Sequence, residues 1–207
     1  MDTQARSAAA VAAGNSDLDN LGLGLSNMTV APAGNNGGVT ADVYNSGGTR
    51  IGGVTCGYPG YYRCSNPLRN LAVGTYTIAV HPYDTRAQTF SVTLSLSHDV
   101  VGTLSMGTPT TIATSNPGQE ATYTLSASQG HLITLSYAQI SYSPSNSYVN
   151  VTVYDPSGAQ TNLGSVSSTS PQTFTASTTG TYTLFFDVVD GGATAATASL
   201  QITPTSN

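Results

Sequence analysis

Three groups of residues in this 207-residue chain are of types and spacings that could do chemistry. Asn15, Asp17 and Asp19 alternate and could turn three oxygens toward one hard cation such as Ca²⁺, which takes about six to eight oxygen ligands. Three side chains do not fill that shell, so backbone carbonyls, water or a distant acid such as Asp84 would have to complete it. The same residues also serve simply to cap a turn. Tyr58, Tyr61 and Tyr62 stand beside Arg63 and make a rigid amphipathic surface of the kind enriched at recognition hot spots. Stacking on sugar rings is one use for it, and covering the end of a sheet is the other. Cys56 and Cys64 bracket a turn-rich spacer that could bring their Cα atoms within the roughly 4.4–6.8 Å of a disulfide. Free or metal-binding thiols are the alternative, but zinc would want further Cys or His and the sequence supplies none nearby. The disulfide reading implies an oxidising compartment.

Catalytic patterns are missing. The chain has no Gly-x-Ser-x-Gly elbow, no His pair at metal-ligand spacing and no paired carboxylates on one element. His81, His98 and His131 fall at a strand end, in a joining segment and at a strand start. No catalytic residue is assigned and an enzyme is not expected. No cofactor is required, and calcium is the one the sequence admits.

Composition narrows the partners. Charged residues are 7% of the chain, Lys is absent, and Arg6, Arg50, Arg63, Arg69 and Arg86 all precede residue 98. Neutralising phosphates takes clustered Lys and Arg, whereas the second half sets no basic residue against Glu120, Asp155, Asp187 and Asp190. Nucleic acid is therefore excluded as a partner. No apolar run approaches the roughly 20 residues of a membrane-spanning helix, so no membrane insertion is expected. A surface of Ser, Thr, Asn, Gln and Gly suits a secreted, extracellular protein.

The elements that would position these residues are strands. Thr75–Val80, Phe90–Leu96, Ala121–Leu125 and Val149–Tyr154 alternate apolar and polar residues, the period of a half-buried strand. Asn35-Asn36-Gly37-Gly38, Ser46-Gly47-Gly48, Asp155-Pro156-Ser157-Gly158 and Asp190-Gly191-Gly192 punctuate them with turn residues. The Ala-rich opening reads as a strand. The halves also repeat: Leu23-Gly24-Leu25-Ser26 returns as Ile133-Thr134-Leu135-Ser136, Val43-Tyr44 as Val153-Tyr154, and Gly74-Thr75-Tyr76-Thr77-Ile78 as Gly180-Thr181-Tyr182-Thr183-Leu184. Ala8, Ala10 and Ala12 align with Tyr123, Leu125 and Ala127. The predicted fold is all-β, two tandem antiparallel β-sandwich, jelly-roll-like domains: 1–98 with the disulfide loop, a joining segment 99–107, and 108–207. The apolar run in the joining segment is expected to pack against a module and restrict the pair. Insertions around Asn15–Asp19 and in the Cys loop make the first module the better candidate for specific binding.

A Val-Thr-Val-Tyr-Asp-Pro-Ser-Gly hairpin (Val151 to Gly158) followed by a Gly-Thr-Tyr-Thr strand (Gly180 to Thr183) resembles bacterial pre-peptidase C-terminal domains, and the likeness covers both copies. It implies β-sandwich accessory modules of secreted hydrolases or large surface proteins, without catalytic residues. Some relatives bind calcium through acids near the N-terminal segment, where this chain offers only Asp17 and Asp19 as a close pair. The expected function is non-catalytic adhesion, display or spacing at the cell surface, with a surface polymer, another protein or copies of itself as partner. A self-assembling filament or surface-layer subunit is the first alternative. A carbohydrate- or collagen-binding accessory module is the second.

Overall fold

The computed structural model describes residues 7–12, 18–31, 37–57, 63–83, 89–191 and 194–207. The first half contributes β1 (Ser7–Ala12), β2 (Leu18–Ala31), β3 (Val39–Tyr44), β4 (Arg50–Cys56), β5 (Ser65–Ala72), β6 (Thr75–Pro82) and β7 (Thr89–His98). The second contributes β8 (Val100–Leu104), β9 (Thr110–Ala113), β10 (Ala121–Ala127), β11 (Leu132–Ser143), β12 (Tyr148–Tyr154), β13 (Gln160–Val166), β14 (Gln172–Thr175), β15 (Gly180–Val189) and β16 (Thr197–Ser206). The fold is all-β; no helix in the described residues is long and apolar enough to cross a membrane.

Strand order carries the repeat. In the first half the sheets run β1-β6-β3-β4 and β5-β2-β7; in the second, β10-β15-β12-β13 and β14-β11-β16 recur with the same connectivity. The second half adds β9 beside β16 and β8 beside β10. Pairing is antiparallel except for β8 with β10. Residues 100–104, part of the expected joining segment, are therefore an edge strand of the second half. Register corrects one alignment. Val11 lies opposite Tyr76 as Leu125 lies opposite Tyr182, so Ala9 and Val11, and not Ala8 and Ala10, are the counterparts of Tyr123 and Leu125. A one-residue difference matters because side chains alternate faces along a strand.

Alternation buries one face of each sheet. Leu23, Leu25, Val39, Ala41, Val43, Ile78 and the disulfide-linked Cys56 and Cys64 belong to one core cluster. Leu125, Ile133, Leu135, Val151, Leu184, Phe186, Leu200 and Ile202 belong to the other. Each fully buried aliphatic side chain contributes about 1.5–3 kcal/mol. The matching tyrosines keep matching roles. The Tyr76 hydroxyl donates to the Ala72 carbonyl at 2.6 Å and the Tyr182 hydroxyl to the Thr178 carbonyl at 2.8 Å, each reaching back four residues.

Candidate functional site

Leu21, Leu23 and Leu25 of β2 point into the first core, which leaves Gly22 and Gly24 on the opposite face. That bare face is where the second half docks. A Cβ on Gly24 would lie 2.2 Å from the Pro117 carbonyl oxygen, and one on Gly22 would lie 2.1 Å from that of Gly118. Backbone thus meets backbone, as glycine in a strand permits. The Ala195 N–H donates to the Leu25 carbonyl at 2.8 Å, and Ala195 joins the first core.

Charged side chains flank this contact. Arg63 Nη2 donates to Asp187 Oδ1 at 2.7 Å. Ser65 Oγ donates to the Asp190 carboxylate at 3.0–3.1 Å, and Asp190 Oδ1 also accepts from the Ala196 N–H at 2.8 Å. Arg69 pairs with Asp99 and lies 3.5 Å from the Phe185 ring centroid, a cation–π geometry. Thr122 Oγ1 donates to the same Asp99 oxygen at 2.6 Å. Glu120 is fully buried nearby, its Oε2 accepting the Val188 N–H at 2.5 Å.

Burial sets the electrostatics. It pushes the Glu120 carboxyl well above the ordinary range, reinforced by Asp187 and opposed by the Val188 N–H and Arg69. Burial likewise raises Asp190, against the Ala196 N–H, Ser65 and the Cys64 N–H. For Arg63 burial works against the charge, but Asp187, then Glu120 and Asp190, outweigh it and raise the guanidinium.

Of the residues singled out from sequence, the structure brings Cys56 and Cys64 together as a disulfide, Cα–Cα 4.6 Å. Arg63 reaches across the seam to Asp187. Tyr58, Tyr61, Tyr62, Asn15, Asp17 and Asp84 lie outside the described residues. Asp19 lies in β2 opposite Leu71. Among the described residues no three His, Cys, Asp or Glu side chains gather as a metal-ligand group. His81 bonds Asp42 Oδ2 through Nε2 at 3.1 Å and the Pro82 carbonyl through Nδ1 at 3.0 Å, so both ring nitrogens are engaged. Asp42 sits below its ordinary value because hydrogen bonds from His81 and Arg50 outweigh its burial.

Sequence reasoning missed the seam, although two signals for it stood in the chain. One is Leu-Gly-Leu-Gly-Leu, an inward leucine row with no side chains outward. The other is the confinement of every arginine to the first half, which leaves the five acids of the second half without a cation of their own.

A groove of about 530 Å³ opens beside the seam. Asn20, Arg69 and Asn70 of the first half overhang Thr122, Tyr154 and Phe185 on the sheet face of the second.

No protein family and no curated protein matches the chain. Among solved structures, the crystal structure of Aeromonas hydrophila PliG, a periplasmic lysozyme inhibitor of g-type lysozyme, is 19% identical, covering 53% of this chain and 99% of its own, with a TM-score of 0.37. The CUB1-EGF-CUB2 domain of human MASP-1/3 is 10% identical over 99% of this chain and 94% of its own, with a TM-score of 0.30. Likeness at this level assigns the chain to no family.

Proposed function

We propose that this chain is a non-catalytic extracellular protein whose two β-sandwich modules are held as one rigid unit for adhesion, display or spacing at the cell surface. The observation that carries the reading is the seam. Backbone contact at Gly22 and Gly24, the Ala195–Leu25 hydrogen bond and the Arg63–Asp187 and Arg69–Asp99 pairs all cross between halves or lock the segment joining them. A tether that had only to link two modules would need none of these, whereas a spacer must hold an angle. The disulfide agrees with an oxidising compartment. The resemblance to pre-peptidase C-terminal domains agrees with an accessory, non-catalytic role.

A second reading, the self-assembling subunit, draws on β8. It is one edge of the five-stranded sheet and exposes Val101 at 74% of its surface, the kind of edge that accepts another strand. Small-angle scattering with light scattering, run across concentration and with calcium or chelator, separates the two. A monomer whose scattering fits one fixed arrangement of the halves supports the rigid spacer. Independent motion of the halves refutes it, and ordered polymers would make the chain a structural subunit.

A further inference from the structure

The groove beside the seam has a lining of unusual kind for so sparsely charged a surface. From the second half come Thr122, Thr181, Thr183 and Phe185, with Tyr154 at the end of β12, on the face of the sheet turned away from Tyr123, Leu125, Leu184 and Phe186 of the core. The Asp155–Gly158 turn forms one rim, and Asn20, Arg69 and Asn70 form the other. The cavity, about 530 Å³, falls within the roughly 300–1,000 Å³ of small-molecule sites.

Both charged groups of the lining are already committed. Arg69 spends Nη1 on Asp99 and a ring face on Phe185, and its Nε and Nη2 are buried without a hydrogen-bond partner. Asp155 accepts from Ser157 Oγ at 2.6 Å, from the Ser157 N–H and the Ala159 N–H, each at 2.9 Å, and from Ser177 Oγ at 3.0 Å. These bonds hold the carboxyl below its ordinary value, the Ser157 hydroxyl foremost. An anionic or cationic ligand would find no spare countercharge. What is uncommitted and open to the groove is neutral: the hydroxyls of Tyr154, Thr181 and Thr183 and the side-chain amide of Asn70 make no hydrogen bond within the described residues. The walls are also fixed in advance. Asn20 Oδ1 accepts the Asn70 N–H at 3.1 Å, and Thr122 is tied to Asp99, so little ordering is required on binding.

We propose that this groove is a binding site for an uncharged, polyhydroxylated ligand, a neutral oligosaccharide, laid across the seam between the overhanging Asn20–Asn70 rim and the Tyr154–Thr183 face. Hydroxyl and amide groups answer sugar hydroxyls in both donor and acceptor senses, and the half-buried Tyr154 ring offers an amphipathic surface for a pyranose face. The site uses residues other than Tyr58, Tyr61 and Tyr62. It rests on the fixed arrangement of the halves in the proposed function, which scattering tests separately from ligand binding.

The full chain, isotopically labelled, would be titrated by NMR with maltohexaose, cellohexaose, mannohexaose and chitohexaose, and with hexagalacturonate as the charged comparison. The expected result is saturable shifts at the amides of Asn70, Thr122, Tyr154 and Thr183 with a neutral hexasaccharide, and weaker or no shifts with hexagalacturonate. Tyr154→Ala should weaken that binding at least tenfold. Thr181→Arg, at an exposed position of the sheet face that the core does not need, should block it with the remaining spectrum unchanged. No saturable shift at these amides with any neutral probe, tighter binding of hexagalacturonate, or binding indifferent to both substitutions overturns the proposal.

Discussion

Glu120→Gln should stabilise the protein at neutral pH and leave it nearly unchanged in acid. Glu120 has no exposed surface, and its Oε1 has no hydrogen-bond partner. Burial, then Asp187, raises its carboxyl well above the usual range. The folded chain therefore keeps a proton that the unfolded chain releases near about pH 4.3. Between that pH and the folded-state value the unfolded state binds fewer protons, so stability falls as pH rises. The limiting slope is about 1.4 kcal/mol per pH unit for this one group, and it flattens once the folded-state carboxyl has ionised. Asp190, also raised by burial, adds a contribution of the same sign beginning near about pH 3.9. Gln keeps an acceptor for the Val188 N–H and carries no charge at any pH, so the substitution should remove the Glu120 share of the slope alone. With no Trp and twelve Tyr in the chain, urea unfolding followed by tyrosine fluorescence and far-UV circular dichroism from about pH 4 to 8 reads the difference directly. The variant should match the parent at the acid end and exceed it progressively above. A difference of constant size across the range, or a variant less stable than the parent at neutral pH, would refute the argument and make Glu120 an ionised partner of Arg69.

Three further outcomes follow from the same seam. Arg69→Ala leaves the Asp99 carboxylate, 2% exposed, without its cation; unfolding should show a loss of about 2–3 kcal/mol, below the roughly 3–5 of a fully buried pair because Arg69 is 26% exposed. Gly24→Ala puts a methyl against the Pro117 carbonyl, so the halves must part; scattering should show a larger radius of gyration and hydrogen exchange should lose protection at the Ala195 amide. Gly47→Ala, in an open turn where the nearest atom would be Asn45 Oδ1 at 3.4 Å, should change neither. Replacing Cys56 and Cys64 by Ser should cost about 2–3 kcal/mol for so short a loop, and should speed exchange at the Leu25 amide, which donates to the Cys64 carbonyl.

What was legible in the sequence was what depends on local period. The alternation in Thr75–Val80 and Ala121–Leu125 is the alternation of burial in β6 and β10, because a strand sends every second side chain to the core whatever its neighbours do. The disulfide was legible because its partners are close in the chain. The role of Val100–Leu104 was not, since an apolar run between repeats reads equally as a packed connector or an edge strand, and only the register with β10 decides between them. Nor was the groove legible. Asn70 and Thr183 are neighbours across it through the docking of two sheets, and no spacing within either half encodes that docking. The glycines at 22 and 24 announced a close approach without naming the partner.

The charges of the seam argue for orientation more than for affinity. A buried ion pair returns little net stability over an apolar contact of the same shape, yet breaking one leaves a desolvated charge at high cost. Arg63, Arg69, Asp99, Glu120, Asp187 and Asp190 are gathered here in a chain whose surface is otherwise almost neutral. Any rotation of one half against the other would strand the buried Asp99 without Arg69, and at smaller cost the more exposed Arg63 without Asp187, while an apolar seam could slide with little penalty. Bare backbone at Gly22 and Gly24 sets how closely the halves approach, and the pairs on either side set the angle. The same contacts set the separation between the Asn20–Asn70 rim and the Tyr154–Thr183 face, so the width of the groove depends on the pairs that flank it.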